Sequence, residues 1–96
     1  MELCIFARLH AVPGNESALE QAIKDVLAPT RKEEGCLAVN AFRSIRDPHL
    51  FYIHSRWKSE AAFEVHIGLP HTVRFVDLVE PLLDHAFEVT RATIME

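Results

Sequence analysis

Between Trp57 and Phe75 the chain carries Trp57, Phe63, His66, His71, Arg74 and Phe75, the densest run of chemically useful side chains in the sequence. His66 follows Phe63 by three residues, the spacing that sets two side chains on one face of a helix. Trp57 closes the apolar segment before that helix. Aromatic rings around one imidazole can wall a pocket for a flat aromatic molecule, and an imidazole can move a proton near neutral pH. The same residues also fit a plain core, with Trp57 and Phe63 as packing and His66 as a hydrogen-bonded core histidine.

Other chemistries find less support. His66 and His71 are five residues apart with Gly68 and Pro70 between them, so they are not an i, i+4 helical pair, and no HExxH stretch occurs; a metal is not expected from spacing. With three glycines in all there is no dinucleotide fingerprint or phosphate loop, and no GxSxG elbow marks a serine hydrolase. Fourteen acidic side chains against ten basic ones give a net charge of −4. The only adjacent basic pair is Arg31-Lys32, so the basic footprint that nucleic acid demands is missing. Cys4 and Cys36 are too few and too far apart for a disulfide framework or a zinc motif, and read as reduced thiols of a cytosolic protein. The apolar runs are short, and Met1-Glu2-Leu3 passes straight into a strand-like segment, so neither a leader nor a membrane span is expected.

The elements that must position these residues follow from periodicity. Leu3, Ile5, Ala7 and Leu9 alternate with Cys4, Phe6, Arg8 and His10, which predicts a first strand over 3–10. Pro13-Gly14 breaks it. Asn15 then caps a helix whose inner face is Leu19, Ala22, Ile23, Val26 and Leu27. Pro29 should kink or end that helix; one more turn over 30–34 would leave Gly35 at the left-handed C-terminal position. A second strand is expected from Cys36 or Leu37 to Ser44, a turn at Asp47-Pro48-His49, and a third strand over 50–57. Ser59 caps a helix through Ile67, Pro70 starts another to about Val79, Pro81 stops it, and His85 to Ile94 is the last strand.

The order βαββαβ over residues 1–96, taken as one domain, is that of the ferredoxin-like split βαβ α+β class: a four-stranded antiparallel sheet with its helices on one face. Yet the strands are apolar or aromatic at both parities, as in Phe51, Ile53 and Trp57 against Tyr52 and His54. A sheet with two apolar faces and helices for one calls for a second sheet, and a homodimer is the simplest supply. His54, on the parity opposite Trp57, is expected at that interface.

In this order the chain resembles the antibiotic biosynthesis monooxygenase family. The matching pieces are Pro13-Gly14, Thr30-Arg31-Lys32-Glu33-Glu34-Gly35-Cys36-Leu37, Arg43-Ser44 with Asp47-Pro48, Trp57 through His66 and Pro70-His71. The resemblance implies a dimeric α+β barrel in which two sheets stack. It also implies oxygenation of a small aromatic, quinol or polyketide-like phenol by dioxygen, without metal, flavin or haem. On that reading Trp57 stacks on the ring or offers it the indole N–H, His66 is base or proton shuttle, and Arg74 steadies an oxyanion. Phe63, His71, Phe75 and Asn40 are assigned to substrate contact.

Two departures stand out. Ser55 occupies the position where many relatives have a glutamate, two residues before the tryptophan, and the first strand lacks the asparagine of haem-degrading relatives. Other readings on the same fold are an isomerase or an enzyme degrading a signalling metabolite, and a ligand-binding or stress-response domain without turnover.

Overall fold

The computed structural model describes Met1–Glu96. Strand β1 (Leu3–His10) is followed by helix α1 (Glu16–Arg31) and by the hairpin of β2 (Cys36–Arg43) and β3 (Leu50–Trp57). Helices α2 (Glu60–Ile67) and α3 (Pro70–Val79) come next, then a 3-10 turn over Glu80–Leu82 and strand β4 (Glu88–Ala92). The sheet is antiparallel in the order β2-β3-β1-β4, as the ferredoxin-like reading requires. In β1 the register runs from Leu3 opposite Trp57 to His10 opposite Leu50, so the apolar parities of the two central strands coincide.

One face of the sheet carries the core. Leu3, Ile5, Ala7 and Leu9 are buried, as are Phe51, Ser55 and Trp57 of β3. The core forms two clusters: Leu9, Leu19, Ile23, Phe51 and Val79 belong to one, and Leu3, Ile5, Trp57 and Phe63 make up the other. The opposite face is open. Phe6 is 50% exposed, Phe42 54% and Tyr52 38%, and these rings frame a shallow apolar groove with Ile53 and His54.

Three local expectations need correction. Helix α1 continues through Pro29 to Arg31, because a proline so near the C-terminus interrupts only the last turn of the ladder. Gly35 is not left-handed; Gly14 alone has positive φ, at 99°. The need for glycine at 35 is steric, since a Cβ there would stand 2.4 Å from the Ala62 Cβ. The last strand is shorter than expected: Leu83 bridges to Ala11, and the Asp84 amide donates to the His10 carbonyl, which holds the chain beyond the end of β1 before β4 begins. Asn15 does stand at the helix start, but its side chain makes no capping bond. Ser59 caps α2 as expected, its Oγ accepting from the Ala62 N–H at 3.1 Å. No helix is long and apolar enough to cross a membrane.

Candidate active site

Between the two core clusters, under the helices, lies a cavity of about 400 Å³. Its walls are mostly apolar: Ile5, Ile53, Trp57, Phe63, Phe75 and Phe87 are among them. The Trp57 and Phe63 rings meet edge to face at 5.7 Å, and the His66 ring lies 4.6 Å from Trp57 and 5.6 Å from Phe63. The cavity therefore presents one imidazole among aromatic faces.

That imidazole is held from behind. The His66 Nδ1–H donates to Glu33 Oε2 at 2.7 Å, and the same oxygen accepts from His71 Nε2–H at 2.7 Å. A carboxylate only accepts hydrogen bonds, so each neutral ring must donate to it, which leaves His66 Nε2 as the unprotonated nitrogen. The side chains of His66, Glu33 and His71 are 14%, 10% and 19% exposed, and the buried Thr72 hydroxyl stands 3.3 Å from His66 Nδ1. A carboxylate behind an imidazole orients the ring and stabilises the imidazolium formed when the far nitrogen takes a proton.

At the rim, Arg91 of β4 lies 5.1 Å from the Phe63 ring centroid. It donates to Glu60 at 2.8 Å and also to Glu64. The bonds to Glu64 and Glu60 raise the Arg91 pKa above its ordinary value. Deeper in, the Trp57 indole N–H donates to Ser55 Oγ at 2.9 Å.

Residues 3–78 match the profile described as antibiotic biosynthesis monooxygenase. The chain belongs to that family. Rv0793 of Mycobacterium tuberculosis is 30% identical over 88 residues, 92% of this chain and 86% of the relative. Its solved structure superimposes with a TM-score of 0.95 at 26% identity, covering 100% of this chain and 97% of the other. PA3566 of Pseudomonas aeruginosa gives a TM-score of 0.92 at 33% identity over 99% of this chain and 95% of the other.

Within this antibiotic biosynthesis monooxygenase fold, Trp57, Phe63, His66 and Phe75 line the cavity together. The other expected site residues lie elsewhere. Arg74 is exposed and lines the outer groove between α1 and α3. Thr72 and Val79 are the buried positions of α3, and that register turns Arg74 outward; the arginine at the cavity is Arg91. Asn40 is on the wrong parity. Its neighbour Val39 faces the cavity, whereas Asn40 pairs with His54 on the ladder and accepts a 3.5 Å bond from Arg31. His71 also borders the outer groove and touches Glu33, not the cavity. Of the two roles expected of Trp57, stacking or hydrogen bonding through the indole N–H, the N–H is already engaged by Ser55.

Sequence reasoning missed Glu33, Thr72, Arg91, Phe87 and Val89. The last three carried a signal, because Phe87, Val89 and Arg91 alternate; Ile5 pairs with Arg91 and Ala7 with Val89, which puts them on the cavity face. Glu33 carried none, being a loop carboxylate among other charges.

Proposed function

We propose that the protein is a cofactor-independent monooxygenase acting on a flat phenol, quinol or anthrone-like compound, with His66 Nε2 as the base. The observation that carries this reading is an imidazole backed by Glu33 through Nδ1 that borders a cavity walled mostly by aromatic and aliphatic groups. A ring bound against Trp57 and Phe63 loses a proton to His66. The resulting carbanion or phenolate passes one electron to dioxygen, and the two radicals combine as a hydroperoxide. Its O–O bond then breaks with loss of water, leaving a carbonyl. One oxygen atom enters the product and the other leaves as water. The four electrons come from two substrate bonds: the C–H or O–H first deprotonated by His66, and the C–H on the peroxidised carbon that breaks as water is lost. An apolar cavity favours the step by keeping the reactive anion from bulk water. Rv0793, a similar protein, provisionally bears the name monooxygenase.

The same proposal has residues 1–96 working as one cytosolic domain in a homodimer. A second copy stacked on the open face would cover Phe6, Phe42 and Tyr52, which supports the pairing.

Oxygen uptake by chelator-treated protein with a panel of reduced quinols and anthrones tests the chemistry. Uptake well above autoxidation, falling by about 100-fold or more in His66→Ala, is the expected result, in line with the usual worth of a general base. Uptake no faster than autoxidation across the panel would refute it.

A further inference from the structure

The cluster behind His66 has a second chemistry that proton transfer does not use. Glu33 comes from the link between α1 and β2, His66 from the last turn of α2 and His71 from the first turn of α3. One donor atom from each lies within 4.8 Å of the other two: a carboxylate oxygen, His66 Nδ1 and His71 Nε2. We propose that Glu33, His66 and His71 form a binding site for a divalent first-row transition ion such as zinc.

The donor set argues for that class of ion. Two imidazoles and one carboxylate suit zinc, cobalt, nickel or ferrous iron, whereas calcium and magnesium take oxygen-only shells. Tetrahedral coordination at about 2.0–2.1 Å sets donor atoms roughly 3.3 Å apart. On that basis the two 2.7 Å contacts to Glu33 need to open by about 0.6 Å, while the two imidazole donors, up to 4.8 Å apart, draw together toward the same spacing through side-chain rotation. The positions are held independently of any ion. Gly35, two residues after Glu33, abuts Ala62 of α2, and the Lys58 amide donates to the Gly35 carbonyl at 3.0 Å. Three protein ligands leave a further position for water or for the Thr72 hydroxyl, 3.3 Å from His66 Nδ1. The remaining exposure of 10–19% gives an ion a way in.

Occupancy has a consequence that rests on His66 being the base. A neutral imidazole ligating through Nδ1 carries its proton on Nε2. Nε2 then donates and no longer accepts, so the ion acts as an inhibitor of proton transfer.

The test is titration of metal-free protein with Co²⁺, read as visible d–d absorption, and with Zn²⁺ in competition with a chromogenic chelator. The expected result is one equivalent bound. Affinity should fall by about tenfold or more in Glu33→Gln and His71→Ala, as loss of even a supporting partner of a metal ligand does. His71→Gln serves if the alanine variant fails to fold. His10→Ala is the control, because His10, His49 and His85 meet Asp47 and Asp84 in the other imidazole–carboxylate group of the molecule. No Co²⁺ absorption by the native protein overturns the proposal, and so does an affinity that drops in His10→Ala but not in the His71 variants. Because this readout needs no substrate, failure of the ion site is separate from failure of the oxygenase reading, in which uptake is absent with or without Zn²⁺.

Discussion

Gly35→Ala puts a methyl group where none fits. The new Cβ would meet the Ala62 Cβ at 2.4 Å, while the next atoms stand at 3.6 and 3.7 Å, so a single side chain carries almost all of the clash. Both partners are pinned by backbone, Ala62 inside α2 and Gly35 by the bond from Lys58, and the strain must be met by moving α2 against the 33–35 segment. Overpacking of this kind costs about 1–3 kcal/mol. Ala62→Gly alone costs about 1 kcal/mol, because glycine is a poor residue for a helix interior. With both changes the offending Cβ is gone, and the double variant should lose only about 1 kcal/mol, so that the pair shows a coupling near 2 kcal/mol. Urea unfolding at one fixed protein concentration measures all four corners, the fixed concentration being needed if the chain self-associates. Additivity within about 0.5 kcal/mol would refute the steric account. So would a Gly35→Ala variant as stable as the parent, which would mean that the contact with Ala62 yields without cost.

Three further outcomes follow from the same geometry. Ser55→Ala strips the buried Trp57 N–H of its acceptor and should cost about 1–3 kcal/mol in urea unfolding; an unchanged midpoint would mean that water replaces the hydroxyl. The His10 cluster sets a pH dependence. Side-chain bonds to Asp47 and Asp84 raise the His10 pKa above 6.5, so its contribution is full below that value and fades as pH rises through the raised one. Asp47 is lowered by the His49 amide and by His10, while at Asp84 desolvation is outweighed by bonds from His10 and His85. These carboxylates contribute above their ordinary 3.8 and lose that contribution as pH falls through the lowered values. His10→Gln should therefore cost more stability at pH 5 than at pH 9, and an equal loss at both would count against the linkage. Finally, the proposed homodimer predicts that the parent sediments as a dimer at micromolar concentration and that Phe42→Asp on the open sheet face sediments as a monomer; a monomeric parent refutes the pairing, and a dimeric variant removes that face as the interface.

Most of the fold was legible because the decisive signals are local. The alternation in Leu3–His10 marks the buried parity of β1, and Ser59 and Pro70 mark the starts of α2 and α3. The cavity was half legible. Trp57, Phe63 and His66 lie within ten residues on consecutive elements, so strand parity and helical spacing bring them together, and Phe75 follows on the inner side of α3. Arg74 misled because one residue of helical register, 100° of rotation, separates it from Phe75, and nothing in its type reveals which way it turns. Asn40 failed by the period of two, since one step along β2 changes the face. Glu33 was beyond reach for another reason: it belongs to a segment without periodicity, and its meeting with His66 depends on how closely α2 approaches that segment.

That approach couples the fold to the chemistry. Glu33 meets His66 only if α2 lies against the 33–35 segment, and α2 can lie there only because residue 35 has no side chain. The missing methyl group is thus a requirement of the carboxylate–imidazole pair as much as of packing. A protein whose stability at this contact was restored by Ala62→Gly should also recover its oxygen uptake, whereas a variant stabilised by substitutions in the distant cluster around Leu19 and Val79 should not. Recovery in both cases would mean that Glu33 is a bystander and that His66 works from the cavity without a partner behind it.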